Sequence, residues 1–346
     1  MKIAHELKKF ALAASIALIA VPAFAQTTAT TVPVGFITVS IPAATPPTVP
    51  DQTAAFSVPL YNTADFQGKI ATVDNATSLT LTGAAFAGTN SLVVASAPRA
   101  VRVKTAANPA SVGLLFLITA NTTTQVTVGA APDLTTILAA NDTVEVVQIN
   151  TIGSLFGTTS PLLYPNTDIS LADNVYLLSK TVGGADQWVT YYHNGTNWRK
   201  SGAGSNQNNA IVYPDEGVLI VHRGTAPVTL TVMGTVPSTI EQTDLFGSGS
   251  TFMANRFPTD VTFLATGINT TPGWISNTDI SLADKVYKYD SVTRAWQTFY
   301  HNGTNWRRSG AGSNQNTTPI AAGTAVIITR SSATGTSLSQ VLPYSL

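Results

Sequence analysis

One turn-rich segment of seventeen residues occurs twice in this chain. It reads YHNGTNWRKSGAGSNQN at 192–208 and YHNGTNWRRSGAGSNQN at 300–316, so the copies differ only by Lys200 against Arg308. Asn-Gly is the favoured pair at the centre of a two-residue β-hairpin turn, where both residues need a positive φ. The segment therefore predicts a β-hairpin, and its duplication predicts two related β-units.

The chain before the first copy also has the pattern of β-strands. β-Branched residues alternate with other residues in 69–83, 99–105, 114–129 and 143–149, and clusters of Asn, Asp and Gly separate these runs. Such alternation is typical of antiparallel strands joined by hairpins. The sequence therefore predicts an all-β fold, with a small N-terminal antiparallel barrel or sandwich followed by two homologous β-units.

Further motifs indicate how the chain is divided. SLFG begins at Ser154 and DLFG at Asp244, and NTDISLAD starts at Asn166 and again at Asn277. Because the offset grows from 90 residues (154 to 244) to 111 (166 to 277), the second unit is expected to have extra loop residues within 253–274. The predicted ranges are a signal peptide at 1–25, a barrel-like domain at 26–150, and repeat units at 151–240 and 241–346.

The first 25 residues have the features of a secretory signal peptide. Lys2, Lys8 and Lys9 precede the apolar run FALAASIALIA, and the small-residue pattern Ala-Phe-Ala ends at Ala25. The run is too short to cross a bilayer, which takes about 20 apolar residues. We expect export with cleavage before Gln26, a location outside the cell, at its surface or in the periplasm, and no membrane span.

Composition weakens the case for several classes of function. Cysteine is absent, charged residues make up 10% of the chain, and the formal net charge is zero. Such a surface gives no electrostatic basis for binding nucleic acid. No cofactor is predicted, because the glycines at 202 and 204 lack the following helix and lysine of a phosphate-binding loop. No metal is predicted either, since Asn166 and Asp168 of NTDISLAD are expected to cap turns.

The hairpins provide the candidate binding residues. With Asn-Gly at the turn centre, Tyr191 faces Trp198 and Phe299 faces Trp306, and these pairs are expected to anchor the cores of the units. Aromatic side chains on the opposite faces would stack on sugar rings if they are exposed. These candidate carbohydrate-binding residues are Trp188, Tyr192 and Arg199 in the first copy, and Trp296, Tyr300 and Arg307 in the second.

Catalytic motifs are missing from the sequence. It contains neither a G-x-S-x-G nucleophile turn nor an H-E-x-x-H zinc motif. The leading hypothesis is a non-catalytic extracellular or cell-surface protein with a structural or adhesive role, whose partners are glycans or other surface proteins. A carbohydrate-binding module is the alternative, and a polysaccharide hydrolase, which needs only two suitably placed carboxylates, is the third.

Several segments together resemble a known but uncharacterised family of secreted bacterial β-proteins. They are VPVGFITVSIPA at 32–43, FQGKIATVDNATSLTLTG at 66–83, GLLFLITANTTTQVTVG at 113–129, TIGSLFG at 151–157 and the W-x-x-Y-Y-x-x-G-x-x-W-R hairpin. The resemblance covers nearly the whole mature chain. It implies an exported β-protein and implies no catalytic residue or cofactor.

Overall fold

Antiparallel β-strands make up nearly all of the regular structure, which confirms the predicted all-β fold class. The computed structural model describes residues 32–44, 51–129, 132–179 and 187–345. The predicted signal peptide at 1–25 lies outside these residues. The strands described below all belong to one compact unit, residues 33–346.

The strands fall into three groups along the chain. Those up to the end of the barrel are β1 (Val34–Ile41), β2 (Gln52–Phe56), β3 (Ala64–Asn75), β4 (Ser78–Leu81), β5 (Arg99–Thr105), β6 (Leu115–Asn121), β7 (Gln125–Val128) and β8 (Thr143–Gln148). The next are β9 (Asn150–Thr151), β10 (Asn174–Ser179), β11 (Gln187–His193), β12 (Trp198–Lys200), β13 (Ile211–Val212), β14 (Val218–His222) and β15 (Val228–Thr235). The last are β16 (Glu241–Leu245), β17 (Gly249–Ala254), β18 (Val261–Thr262), β19 (Lys285–Asp290), β20 (Ala295–His301), β21 (Trp306–Arg308), β22 (Pro319–Ile320), β23 (Ala325–Arg330) and β24 (Thr336–Gln340).

Six consecutive strands close into an antiparallel barrel. Their order around the barrel is β3-β4-β7-β6-β5-β8. Side chains that alternate along the strands, among them Leu79, Val101, Val126 and Val144, are fully buried in its core. The short helix α1 (Leu134–Ile137) is capped at its N-terminus by Asp133, whose side chain accepts a hydrogen bond from the amide of Thr135. The predicted antiparallel barrel is thus present, and it occupies residues 64–148.

Two five-stranded sheets correspond to each other strand for strand. The first has the order β12-β11-β10-β14-β2 and the second the order β21-β20-β19-β23-β17. Each is accompanied by a two-stranded ribbon, β1-β15 or β16-β24, and by a short pair, β9-β13 or β18-β22. The helix α2 (Ile152–Phe156) follows β9 and is capped by the side chain of Thr151.

The strand pairing divides the chain differently from the predicted ranges. Strands β1 and β2 precede the barrel in sequence, but they pair with β15 and β14 of the first unit. In the second unit their places are taken by β16 and β17, which directly precede the rest of that unit. The first unit therefore consists of two separate stretches of chain, with the barrel between them.

The strand pairing also shows that SLFG and DLFG, which were predicted to begin the two units, do not occupy corresponding positions. SLFG lies in and after α2, beyond β9, whereas DLFG ends β16, before β17. The short strands β9 and β18 begin at Asn150 and Val261, which already gives the offset of 111 found for NTDISLAD. Residues near 253 therefore have their counterparts ahead of the barrel, and the second unit has no long insertion there.

The turn of each hairpin has four residues where two were predicted. In the first copy His193 pairs with Trp198 and Tyr192 with Arg199, and the amide of Asn194 donates to the carbonyl of Asn197 at 3.0 Å. The Asn194 side-chain oxygen accepts from the amides of residues 196 and 197, which stabilises the longer loop. The predicted pairing of residue 191 with 198, and of 299 with 306, is wrong by two positions, which leaves every side chain on its predicted face.

Valine in place of Gly195 or Gly303 is expected to destabilise the protein. These residues have φ values of +96° and +98°, and a β-branched residue there is strained by about 1 to 3 kcal/mol. Thermal melting of both variants measures the loss. Gly204→Ala is the matched control, since this nearby glycine has neither a positive φ nor an atom within 4 Å of an added Cβ. Melting of both valine variants at the wild-type temperature would contradict the expectation.

Candidate functional site

The core face of each hairpin is centred on a buried tryptophan. Trp198 and Trp306 are 0% exposed, as expected for core anchors. The indole nitrogen of Trp198 donates to the carbonyl of Gly157 at 2.7 Å, and the ring of His193 meets it edge-on at 5.6 Å. In the second copy the ring of Phe263 stacks on Trp306 at 5.1 Å. Trp198 and Trp306 are therefore internal packing residues and are not accessible to a ligand.

The first predicted binding set lies together on the opposite face. Tyr192 is directly opposite Arg199, and Trp188 is on the same strand as Tyr192, four residues before it. Trp188 is 39% exposed and its ring contacts Phe252 of the second unit edge-on at 5.5 Å. The Arg199 guanidinium donates to the carbonyl of Gly204, so it holds the glycine-rich loop.

The second set has the same arrangement with less exposure at its tryptophan. Tyr300 is opposite Arg307, and the Arg307 guanidinium donates to the carbonyl of Gly312. Trp296 and Tyr300 are half-buried, and the ring of Trp296 packs against Tyr289 at 5.4 Å. Both arginines therefore have a structural partner within their own hairpin.

The opposite faces of the two sheets meet in a small apolar cluster. Its buried members are Ala55 and Leu178 of the first unit and Phe252 and Ala325 of the second, and Trp296 packs against them. Sequence reasoning did not predict this contact, because it joins strands that are far apart in the chain. Trp188 and Trp296 consequently both lie near the junction between the units, and Trp188 is the more exposed of the two.

A buried charged cluster links the barrel to the second unit. Arg102 of β5 donates to Glu145 of β8 at 2.5 Å and also to Glu241 of β16. Arg256, just after β17, donates to Glu241 and to the Tyr61 hydroxyl, which in turn donates to Glu241 at 2.6 Å. Burial raises the pKa of the Tyr61 hydroxyl above its ordinary value, so the phenol stays protonated as a donor. The members of the cluster are buried, and their ion pairs hold the barrel against the second unit.

The sequence contains a signal for this cluster on two barrel strands. Arg102 lies between the core residues Val101 and Val103 of RAVRVKT, and Glu145 lies between two core valines of TVEVVQI. Both charged side chains are therefore on the outer face of the barrel, and yet both are buried. A charged residue is almost never fully buried unless it is paired. The strand pattern did not indicate the partner Glu241, because it lies more than a hundred residues after Arg102 in the chain.

A cleft of 640 Å³ lies between the barrel and the two units. The rings of Tyr191 and Tyr213 and the side chains of Asp215, Glu216 and Asp244 line it. Burial, and the nearby Glu216 carboxylate, raise the pKa of the Tyr191 hydroxyl. The cleft combines aromatic rings with hydrogen-bonding groups, which is the composition of many small-ligand sites at domain junctions.

The carboxylates of NTDISLAD serve the backbone. Asn166 accepts from the amide of Asp168 at 2.9 Å, and Asp168 accepts from the amide of Ser170 at 2.8 Å. The expected turn capping is therefore confirmed. Asp173 accepts from the amides of Tyr164 and Arg223, and its counterpart in the second unit has equivalent bonds. Within the described ranges, no group of three or more His, Cys, Asp and Glu side chains is placed to hold a metal ion.

Neither a search for membrane-spanning helices nor comparison with known proteins assigns a function to this chain. In the part of the chain that the structure describes, no helix has the length and apolar character needed to cross a membrane. No protein-family model, curated protein or solved structure matches this chain.

Proposed function

We propose that this protein is exported and acts outside the cytoplasm as a non-catalytic structural or adhesive β-protein of the cell surface or extracellular space. The proposal is supported chiefly by the use that the structure makes of the duplicated segment. Its tryptophans are buried, its arginines bind backbone carbonyls and its first asparagines bind backbone amides. Near-identity of the two copies is therefore accounted for by the needs of the fold.

Cell fractionation tests the export and location in this proposal. Antibody detection in cytoplasmic, periplasmic, surface and medium fractions is combined with N-terminal sequencing of the folded protein. We expect the protein outside the cytoplasm with Gln26 as its first residue, because the small-residue cleavage pattern ends at Ala25. Folded cytoplasmic protein that retains Met1 would contradict the proposal.

An adhesion assay tests the role itself. Beads coated with the mature protein are expected to attach to the producing cells, and beads coated with heat-unfolded protein are the control. Equal attachment of both bead types would contradict a folded adhesive role. Release of sugars when the mature protein is incubated with surface polysaccharide would contradict the non-catalytic assignment.

Carbohydrate binding is the second candidate, and two observations favour it. The ring of Trp188 is partly exposed on the face opposite the core, and the cleft lined by Tyr191 and Tyr213 also presents carboxylates. Aromatic faces with neighbouring polar groups suit flat sugar rings and their hydroxyls. We therefore propose an oligosaccharide as the ligand class if the protein binds a small molecule.

A glycan array on four proteins distinguishes these two surfaces. Loss of glycan retention in Trp188→Ala identifies the hairpin face, and loss in Tyr213→Ala identifies the cleft. Leu282→Ala is the control, since this leucine is also an exposed apolar residue but lies in the NTDISLAD turn of the second unit. Absence of glycan retention by the wild type would remove the carbohydrate candidate and leave the structural or adhesive proposal in place.

A further inference from the structure

Strand β1 of the first unit has an open edge. It pairs with β15 on one side, and among the described residues no backbone hydrogen bond reaches its other side. The Val236 amide donates to the Pro33 carbonyl at 2.9 Å, in the pair next to the start of the ribbon. Because bonded and non-bonded pairs alternate in an antiparallel ladder, the odd-numbered residues of 35–41 direct their backbone groups to β15. The even-numbered residues of 34–40 direct theirs to the open edge.

The side chains of these same even-numbered residues are uncovered. Val34 and Phe36 are 77% and 71% exposed, and Thr38 and Ser40 are exposed as well. On β15, Met233 lies directly opposite Phe36 and is 74% exposed. Edge strands are usually protected by charged residues, proline or a bulge, but β1 is an uncharged strand of eight residues with neither proline nor a break in its register. An edge of this kind is a template for pairing with another chain.

The second unit repeats this ribbon, and there the corresponding edge is covered by the barrel. The strand registers give three matched pairs of residues: Leu230 with Leu338, Phe36 with Ile240, and Thr38 with Gln242. The Gln242 side chain is buried and donates to two carbonyls of the barrel turn 110–113, both at 2.9 Å. A Cβ added to the glycine of that turn would meet the Ile240 carbonyl oxygen at 2.4 Å. The chain thus covers this edge in the second unit and leaves it exposed in the first.

We propose that β1 pairs edge to edge with β1 of a second copy of this chain, antiparallel and across a two-fold axis at Ile37. Phe36 then lies opposite Thr38 of the second copy, and Val34 lies opposite Ser40. Each of these pairs exchanges backbone hydrogen bonds, because all four residues direct their backbone groups to the open edge. An aromatic residue opposite a β-branched one also stabilises a strand pair through its side chain.

Shape, symmetry and charge favour a second copy as the occupant of this edge. The outer row of β1 has large apolar residues in its first half and small hydroxyl residues in its second half, so the reversed strand places small residues opposite large ones. One surface therefore serves both partners, as a two-fold dimer requires.

Electrostatic repulsion between copies is also weak. The exposed face of the β1-β15 ribbon has no charged residue, and charged residues make up 10% of the chain with a formal net charge of zero. The pairing itself does not depend on the proposed function. Its use in adhesion, with copies on neighbouring cells binding each other, rests on that function.

Sedimentation velocity of the mature protein over a concentration series tests the pairing. We expect the wild type to pass from monomer to dimer as its concentration rises, because one strand pair is a small interface. Phe36→Lys is expected to stay monomeric, since it places two like charges beside the dimer axis. Met233→Lys is the matched control: this residue is on the same exposed face, but it lies one strand, about 4.8 Å, further from the open edge. It is expected to dimerise like the wild type.

Two results of this experiment would overturn the proposal. One is a wild type that remains monomeric at every concentration. The other is loss of the dimer in Met233→Lys as well as in Phe36→Lys, which would assign the contact to the apolar face of the ribbon instead of the strand edge.

Cross-linking of introduced thiols identifies the register, since the chain has no cysteine of its own. A mixture of Phe36→Cys and Thr38→Cys proteins is expected to form more disulfide-linked dimer than Val292→Cys, whose site is 88% exposed in a turn of the second unit. A yield no higher than that of this control would refute the pairing, whether or not Phe36→Lys folds.

The bead assay separates this inference from the proposed function. Beads that attach to the producing cells although the protein is monomeric in solution would overturn the pairing and leave the adhesive role in place. A dimer in solution without bead attachment would support the pairing and contradict the adhesive role.

Discussion

Alanine in place of Trp198 or Trp306 is expected to lower the free energy of unfolding by about 3 to 5 kcal/mol, the usual loss when a buried aromatic site is emptied. Both rings are completely enclosed, and each is in contact with a histidine of its own hairpin. Trp198→Ala also leaves the Gly157 carbonyl without its indole donor. Denaturant unfolding of the two variants and the wild type measures the loss.

Trp188→Ala is the matched control on the opposite face of the same hairpin. Its ring is 39% exposed, so less apolar area is returned to water when it is removed. A smaller loss than that of Trp198→Ala is expected. Equal losses at positions 188 and 198 would show that both faces contribute alike to the core, and the ranking of Trp198 as the anchor would then be incorrect.

Arg102→Ala is expected to destabilise the protein by about 3 to 5 kcal/mol, because removing one partner leaves buried charge uncompensated. Arg102 binds both Glu145 of the barrel and Glu241 of the second unit, and all three are buried. Its loss therefore also weakens the attachment of the barrel. Denaturant unfolding measures the free energy, and limited proteolysis reports whether the barrel is released.

Arg99→Ala controls for removal of an arginine from the same strand. Arg99 pairs with Asp65 at 2.9 Å, but both side chains are partly exposed to water. Pairs of this kind contribute about 0 to 1 kcal/mol. A loss at Arg102 as small as that at Arg99 would contradict the structural role assigned to the charged cluster.

Local patterns in the sequence were sufficient to predict the fold class and the face of the hairpin on which each side chain lies. Alternation in runs such as TVEVVQI predicts strands with one face buried, and the barrel has such strands. The faces of Trp188 and Trp198 were predicted correctly even though the turn was not. A shift of two residues preserves the side on which every side chain lies, because side chains alternate along a strand.

The turn itself depended on a contact that residue preferences do not include. Asn-Gly favours a two-residue turn, but in this hairpin the Asn194 side chain binds two backbone amides of a four-residue loop. The exposure of the candidate carbohydrate-binding residues likewise depended on packing. Sequence placed Trp188 and Trp296 on the outer face, and contact between the two units decided that Trp296 is the more buried of the two.

By itself the sequence determined the strands, their two faces and the duplicated hairpin, because these follow from the periodicity of neighbouring residues. Only the tertiary structure decided that β1 and β2 complete the first unit across the intervening barrel, and that Arg102 meets Glu241. Pairing between distant strands leaves no local periodic signal, since the edge of a strand can accept any partner of matching length. The choice among partners is made by burial of whole faces and by the pairing of enclosed charges.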